Sequence, residues 1–406
     1  MAIQGLRTTD DIIGQYKDRP ENWRMGVLML DPNGSAPLYA LTSMMETVAT
    51  DDPTFHWFEE ELPNYRVVLS ADIDDAVTAI PLASGATYFK EGDLVRVEQT
   101  DELLMVTANP VSDTSITVSR GFAGSTATLV DFDGAGINPN LMLIGSAYEE
   151  GSDAPEGRSY LPTEHDNNTQ IFRDTFEITN TDVETEMRTG DTVKEDKRKC
   201  LTRHSMGIEK SMIFGRKSVT MKNGRPRRTM DGIIAQIPTD NVAVPSAGTW
   251  DMTEIEDYLR MLFTFGSNEK ICFGGNRFML GVQQIVRKNS AYQLAPVSTE
   301  YGMKVTRFIT PFGTLVLKTH PLFNQMSSGV TAATAYRAVD SWGLIIDAKY
   351  IKYRPLRNRD TKYEPSLQEP GKDGKQAGYI TEAGIQVAHP KTFGLIKGLT
   401  AGVTDA

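Results

Sequence analysis

The pattern of hydrophobic and polar positions changes several times along the chain, and each change marks a different predicted element. Up to about residue 62, prolines and turn residues repeatedly interrupt the apolar runs, which favours an extended arm over a compact domain. Within this arm, residues 38–48 carry Leu41, Met44, Met45 and Val48 at helical spacing. We predict a short amphipathic helix that packs on another part of the protein rather than on a membrane.

Between residues 65 and 148 the pattern changes to short β-type runs, separated by turn residues such as Gly92-Asp93 and Asn109-Pro110. Regular spacing of short strands is typical of a small all-β barrel or sandwich. Such modules often bind ligands, but this one has neither a row of stacking aromatic residues nor a basic stripe. A structural insert is therefore favoured over a binding module.

From residue 163 to 179 the alternation of residue types places aromatic side chains on one face of a strand and charges on the other. Thr181-Asp182-Val183-Glu184 then has the spacing of a helix capping box, and one long helix is predicted over residues 182–217, ending at Gly215. At about 1.5 Å per residue it would span roughly 50 Å. Its apolar stripe is narrow and contains glycines, so a helix that lies across a surface is favoured over a coiled coil.

The pattern from residue 250 onward is that of an α/β region. Helices are predicted over residues 251–263 and after the turn Gly274-Gly275-Asn276, with a buried strand at 270–273 between them. The remaining predicted strands cover residues 304–310, 314–318, 344–346, 349–356 and 378–387. The last two are long and are joined by a polar loop, residues 357–377.

Charge and composition narrow the classes of function. The 406 residues include 53 acidic and 42 basic side chains, a net charge of −11, which argues against a protein that coats nucleic acid with its whole surface. No stretch approaches the roughly 20 apolar residues of a membrane span, and the N-terminus lacks the apolar run of a secretory signal, so we expect folding in the cytoplasm. Cys200 and Cys272 lie far apart, so neither a disulfide framework nor a zinc site is expected.

The segment from Lys194 to Arg228 departs from this acidic average. It holds twelve Lys or Arg and three Asp or Glu residues, a local charge of +9. The candidate residues for contact with the phosphates of a nucleic acid, or with another subunit, are Lys194, Lys197, Arg198, Arg225, Arg227 and Arg228. A solvated helix face that balances an acidic neighbour explains the same residues, and the sequence leaves both interpretations open.

Other candidate chemistry is sparse. The strand–Gly274-Gly275–helix junction could cradle a phosphate, but it lacks any dinucleotide or P-loop spacing, so a tight turn is favoured. The five histidines are scattered singly, and no serine or cysteine has a nucleophile context. We therefore expect no catalytic residue, no cofactor and no metal site, and a protein that is not an enzyme.

Several segments after residue 150 resemble one family. They are, in chain order, NNTQIFRDTFEIT at 167–179, IEKSMIFG at 208–215, RTMDGI at 228–233, FGTL at 312–315 with His320-Pro321, and TEAG at 381–384. This ordered set is similar to the tailed-phage major capsid proteins of the Hong Kong 97-type fold, and in particular to the podophage Su-ten major capsid proteins. The resemblance covers roughly residues 150 to 400.

The resemblance implies an α+β fold with four parts. Residues 1–62 would be an N-terminal arm, and 63–178 an extended loop over a neighbouring subunit, with the β-barrel-like insertion at about 66–148. The peripheral domain would consist of 179–235, including the spine helix 182–217, and 348–391. The axial domain would consist of 236–347 and 392–406, and the loop 357–377 would reach toward three-fold contacts.

The resemblance also implies a function. The chain would be a major capsid protein that self-assembles, as pentamers and hexamers, into the icosahedral head shell around packaged double-stranded DNA of a tailed bacteriophage. It would assemble in the host cytoplasm with a separate scaffold protein, a portal and possible decoration proteins, contact DNA non-specifically and avoid membranes. The alternative is a virion protein that binds glycan or nucleic acid through the β-insertion.

Overall fold

The computed structural model describes residues 41, 44–61, 66–132, 139–155, 157, 159–186, 190–288, 295–300, 303–324 and 339–402. These residues form two compact units. The main unit comprises Met1–Glu59 and Glu164–Ala406, and the β unit comprises Glu60–Thr163. Together they contain both helices and many strands, so the predicted α+β class is confirmed.

The helices are α1 (Asn180–Glu184), α2 (Thr192–Phe214), α3 (Ile233–Gln236), α4 (Met252–Leu262) and α5 (Asn276–Lys288). The strands are β1 (Glu46–Thr47), β2 (Thr54–Glu59), β3 (Arg66–Val68), β4 (Ala79–Pro81), β5 (Asp93–Val97), β6 (Leu103–Ala108), β7 (Ser115–Ser119), β8 (Asn140–Ser146), β9 (Thr163–Asn168), β10 (Gln170–Ile178), β11 (Ser218–Lys222), β12 (Arg225–Thr229), β13 (Val242–Ala243), β14 (Thr249–Trp250), β15 (Glu269–Gly274), β16 (Ala295–Glu300), β17 (Met303–Thr310), β18 (Gly313–Thr319), β19 (Gly343–Ile346), β20 (Ile351–Pro355), β21 (Lys362–Glu364), β22 (Lys375–Val387), β23 (Gly394–Ile396) and β24 (Ala401–Gly402).

The β unit is built on a six-stranded antiparallel sheet in the order β3-β8-β5-β6-β7-β4. Its two edge strands meet beyond their ends, where Leu69 pairs with Leu82 and the Ala83 amide donates to the Val68 carbonyl at 3.0 Å. The sheet therefore closes into a barrel around a core of alternating apolar residues, as the spacing of the short strands predicted.

A buried ion pair lies in the same unit. The Arg120 Nε is 2.7 Å from the Glu102 Oε1, and both side chains are almost fully buried. Burial raises the pKa of Glu102, but the donated hydrogen bonds of Arg120 and of the Gly121 amide outweigh it, so the net pKa lies below its ordinary value.

The first sheet of the main unit has five strands, in the order β1-β20-β22-β10, with β21 added on β22. Strand β10 runs antiparallel to β22, with Gln170 opposite Ala383 and Ile178 opposite Lys375. Along β10, exposed positions alternate with half-buried ones. Phe172 and Phe176 lie on the half-buried face and Arg173 and Glu177 on the exposed face, but Asp174 shares the face of the aromatic residues, so the predicted separation is confirmed only in part. Helix α2 contacts both β10 and β22, so the helix lies across this sheet.

The second sheet has seven strands, in the order β13-β23-β19-β15-β18-β17-β16. Its central strand β15 is covered on both faces, because Ile271 and Phe273 join one apolar core and Cys272 joins another. Helices α4 and α5 supply the core on the Cys272 side, and the C-terminal half of α2 contributes to the other. The predicted buried strands at 270–273 and 344–346 and the predicted helix at 251–263 are confirmed.

The predicted single helix over residues 182–217 is wrong. Two helices are present, and the second begins only at Thr192, after Gly190 at φ 101° and a new N-cap, Asp191. The first is capped by Thr179, whose hydroxyl accepts from the Asp182 amide, and not by Thr181. With 23 residues, α2 spans about 35 Å. Its predicted end at Gly215 is confirmed.

Two smaller predictions also need correction. Within the segment predicted as an amphipathic helix, Leu41 and Met44 are helical as predicted, and residues 38–40, 42 and 43 lie outside the described residues. Glu46–Thr47 is instead a strand that pairs with Lys352–Tyr353, because the edge of β20 offers backbone partners. Leu41 and Met45 are nevertheless buried in the protein core. The loop 357–377 contains a strand, β21, which pairs with β22.

Candidate interaction surface on helix α2 and the β11–β12 hairpin

The twelve cations between Lys194 and Arg228 divide between two elements that differ in construction. Six lie on α2, namely Lys194, Lys197, Arg198, Lys199, Arg203 and Lys210. Four lie on the β11–β12 hairpin, namely Lys222, Arg225, Arg227 and Arg228. Arg216 and Lys217 connect the two elements, and Lys217 forms an ion pair with Asp166.

One edge of α2 is buried, and it is only partly apolar. The buried residues are Cys200, His204, Ile208, Glu209, Met212 and Ile213. Leu201, which belongs to the predicted apolar stripe, is 39% exposed instead. The sequence pattern did not identify His204 and Glu209 as buried, because polar residues on a helix usually face solvent.

His204 fixes α2 to the five-stranded sheet. Its Nδ1 lies 2.9 Å from the Asp174 Oδ2 on β10, and its Nε2 lies 2.8 Å from the Thr381 Oγ1 on β22. The order Asp174–His204–Thr381 resembles the relay of a hydrolase. However, the Thr381 hydroxyl is fully buried and hydrogen-bonded to Thr361, so no substrate can reach it. The arrangement connects three elements of the fold.

Glu209 forms a second buried connection. Its Oε1 accepts from the Leu41 amide at 3.0 Å and lies 3.2 Å from the His320 Nε2. Because the His320 Nδ1 accepts from the Leu322 amide, the ring proton resides on Nε2 and is donated to Glu209. The carboxylate therefore holds the end of the arm, the helix and the end of β18 together.

Five of the six α2 cations contact an acidic or aromatic side chain of the same unit. Lys194 lies 3.5 Å from Asp191, Arg198 lies 3.0 Å from Glu195, and Lys199 lies 3.9 Å from Glu195. Lys197 stacks over the Tyr363 ring at 3.8 Å, and Arg203 contacts Asp174. Most cations of the helix are therefore engaged by side chains at its N-cap, on the helix itself and on the sheet beneath it.

The pKa values of two carboxyl groups on this helix reflect these contacts. The Lys194 backbone amide, which donates to the Asp191 side chain at the N-cap, lowers the pKa of Asp191. The Arg198 guanidinium lowers the pKa of Glu195 through its hydrogen bond. Both carboxyl groups are thereby held in the charged form that the helix N-terminus favours.

The hairpin is a regular two-stranded ribbon. Asn223 and Gly224 form its turn with φ values of 52° and 71°, the conformation of a type I′ turn. The register pairs Lys222 with Arg225 and Thr220 with Arg227, so one face carries three cations side by side. Among the described residues, Lys222, Arg225 and Arg227 form no ion pair with a carboxylate.

The opposite face of the hairpin is apolar. Val219 and Met221 are 59% and 73% exposed, and Met221 lies opposite the exposed Pro226 in the register. The fourth basic residue, Arg228, shares this face opposite Val219 and is half-buried. A two-stranded ribbon exposed on both faces is only marginally stable by itself.

A groove of about 580 Å³ lies where the hairpin meets the five-stranded sheet. Its lining residues are Thr169, Gln170, Ile171, Lys222, Asn223, Arg225, Pro226, Arg227, Arg228, Thr229 and Glu382. The Glu382 carboxylate is already engaged, because it lies 2.6 Å from the Arg359 Nε and accepts from the Thr169 hydroxyl. The groove therefore presents excess positive charge.

The six basic residues singled out from the sequence thus fall into two groups. Lys194, Lys197 and Arg198 are engaged within the main unit, whereas Arg225, Arg227 and Arg228 belong to the hairpin. Sequence reasoning missed the hairpin itself and its apolar face. The Asn223-Gly224 pair between alternating residues is a hairpin signal that could have revealed both.

The Gly274-Gly275 junction is a tight turn. A Cβ on Gly275 would lie 2.1 Å from the Asp340 carbonyl oxygen. The amides of Arg277 and Phe278 donate to that carbonyl, and the Asn276 amide donates to the Asn324 side chain. The amides that would cradle a phosphate are already bound to protein.

In the described part of the chain, no three His, Cys, Asp or Glu side chains are arranged to hold a metal ion. None of the helices there combines the length with the apolar character that a membrane crossing needs.

Comparison with known proteins gives one family. The sequence model of the SU10 major capsid protein matches residues 5–400. A major capsid protein of Pseudomonas phage PaMx41 is 27% identical over 399 residues, covering 92% of this chain and 91% of the relative.

Solved structures with a similar fold include a chain from Mycobacterium phage Bobi, with 7% identity, 98% and 99% coverage and a TM-score of 0.45. Another is the capsid of an empty GTA particle, with 8% identity, 97% and 99% coverage and a TM-score of 0.45.

Proposed function

The chain belongs to the SU10 major capsid protein family, and from that membership we propose how it builds a shell. Many copies, arranged as pentamers and hexamers, form the icosahedral head of a tailed bacteriophage around packaged double-stranded DNA. The observation that carries this proposal is the family match, which extends over residues 5–400 and so includes both units.

The domain roles follow the same proposal. The arm is residues 1–62, the extended loop is 63–178 with its β-insertion at about 66–148, the peripheral domain is 179–235 with 348–391, and the axial domain is 236–347 with 392–406. The seven-stranded sheet supports the axial assignment, because all its strands come from those two segments. Strands β20, β21 and β22 share the other sheet with α2 lying across it, which supports the peripheral assignment.

Further partners belong to the same proposal. A separate scaffold protein, a portal and decoration proteins would act during assembly in the host cytoplasm, and packaged DNA would be met by non-specific contacts. The chain would have no catalytic role. The alternative, a glycan- or nucleic-acid-binding protein that acts through the β unit, is not favoured, since the family match treats that unit as part of the capsid protein.

Assembly is the property to test. Purified chain, alone or co-expressed with a scaffold protein, should form closed shells of uniform size in negative-stain electron microscopy. Large shared interfaces are typical of obligate assemblies, so the shells should persist on dilution. A chain that stays monomeric at high concentration, with scaffold protein present, would contradict the proposal.

A further inference from the structure

The β11–β12 hairpin presents two kinds of uncovered surface at once. Lys222, Arg225 and Arg227 carry positive charge without a carboxylate partner in the described part of the chain, and Val219 and Met221 expose apolar surface on the other face. A phosphate backbone would match the cations but would leave the apolar face in water. A protein surface with negative charge and some apolar area matches both faces.

Such a surface exists on the chain itself, in the β unit, where Leu129 is 63% exposed and adjoins Val130, which pairs with Ile73 of an acidic loop. Glu60–Thr163 contains 17 acidic and 5 basic residues, a net charge of −12. The whole chain carries −11, so the main unit with its hairpin carries +1. The acidic character of the protein is therefore a property of one unit, and opposite charges on two surfaces favour and orient their association.

Within the β unit, the described arginines already have partners. Arg66 pairs with Glu98, Arg96 pairs with Asp101, and Arg120 pairs with Glu102. These pairs leave carboxylates in excess. Three of them, Asp72, Asp74 and Asp75, are exposed on one loop between β3 and β4, and no cation pairs with them among the described residues.

We propose that the hairpin of one copy docks on the acidic β unit of a second copy. Lys222, Arg225 and Arg227 face the Asp72–Asp75 loop, and the opposite, apolar face of the hairpin is covered by neighbouring apolar surface of the same β unit. This inference rests on the proposed shell, because a shell is what brings copies into contact. It assigns the cations of the hairpin to a protein partner rather than to DNA.

Charge exchange tests the pairing. The hairpin variant carries Lys222→Glu, Arg225→Glu and Arg227→Glu, and the loop variant carries Asp72→Lys, Asp74→Lys and Asp75→Lys. Each alone should lower the yield of empty shells at least about ten-fold, because like charges then face each other, and the combined variant should recover most of the yield. Shells are counted by sedimentation and microscopy, and thermal unfolding verifies that each variant folds.

A matched control changes the same amount of charge on the helix. The variant Lys194→Glu, Arg198→Glu and Lys199→Glu should assemble like the wild type, because those cations are engaged within the chain. If the triple reversal of the hairpin unfolds the chain, the neutral variant Lys222→Gln, Arg225→Gln and Arg227→Gln replaces it, and assembly should then lose much of its salt dependence.

The other outcomes overturn the inference. If the hairpin variant forms empty shells normally but packages less DNA, the cations face DNA. If the loop variant has no effect, or if the combined variant does not recover, the hairpin docks elsewhere. The wild-type chain distinguishes a failure of this inference from a failure of the proposed function. If only the inference is wrong, the wild-type chain still forms shells. If the proposed function is wrong, it forms none.

Discussion

Helix α2 and the β11–β12 hairpin are neighbours in sequence and similarly rich in cations, yet their surroundings differ. The helix buries one edge in the core. Most of its cations contact the carboxylates of Asp191, Glu195 and Asp174, or the ring of Tyr363. The hairpin buries little, and three of its cations have no carboxylate partner among the described residues.

This difference shows that the cations between Lys194 and Arg228, which give that segment a net charge of +9, do not all have the same role. Exposed ion pairs at i,i+3 or i,i+4 stabilise a helix only slightly, but they reduce the charge that a partner can use. Unpaired cations on an exposed ribbon keep their full attraction for an anionic surface. The cations of the helix are therefore engaged within the fold, and the cations of the hairpin are the ones that we propose to act in assembly.

The largest expected difference between α2 and the hairpin is in their contribution to the free energy of unfolding. Substitution of one methionine in each element measures this contribution. Met212 on α2 is 0% exposed, and Met221 on the hairpin is 73% exposed. Met212→Ala should lower the free energy of unfolding by about 2–5 kcal/mol, because it leaves a cavity in the core. Met221→Ala should change it by less than about 0.5 kcal/mol. Denaturant unfolding of unassembled chain measures both changes. Equal losses of unfolding free energy in the two variants would contradict the distinction between a buried helix edge and an exposed hairpin.

A smaller effect is expected at the start of α2 in acid. The pKa of Asp191 is lowered in the folded chain, so its stabilising contribution is complete above the unfolded pKa of about 4 and is lost as the pH falls through the lowered value. Relative to the intrinsic exchange rate at each pH, the protection of the amides in the first turn of α2 should fall in that range, and the protection of the hairpin amides should not. Asp191→Asn keeps a good cap without a titrating group and should reduce the pH dependence, leaving the part that Glu195 contributes. An unchanged dependence in this variant would contradict the assignment.

Sequence periodicity predicted elements where one residue type dominates a face. The alternation in β10, the apolar run of β15 and the helical spacing of α4 gave these elements within a few residues. The break before α2 was missed, because Gly190 was interpreted as part of a continuous helix and its positive φ depends on a new cap at Asp191.

The surface was harder to predict than the fold, for a physical reason. His204 and Glu209 can be buried because other side chains supply their hydrogen-bond partners. Those partners lie up to 177 positions away in the sequence, and no local pattern contains that information. The basic residues were found as a group, but the sequence could not separate them into engaged and available cations. That separation depends on which side chains the fold places within hydrogen-bonding distance.

The central claim is that protein covers the apolar face of the hairpin in the assembled shell, and Met221 reports on this directly. Peroxide converts exposed methionine to its sulfoxide, which mass spectrometry quantifies residue by residue, and buried Met212 serves as an internal reference. In empty shells, which lack DNA, Met221 should oxidise at least about five-fold more slowly than in unassembled chain. Oxidation of Met221 at the same rate in shells and in free chain would contradict the account.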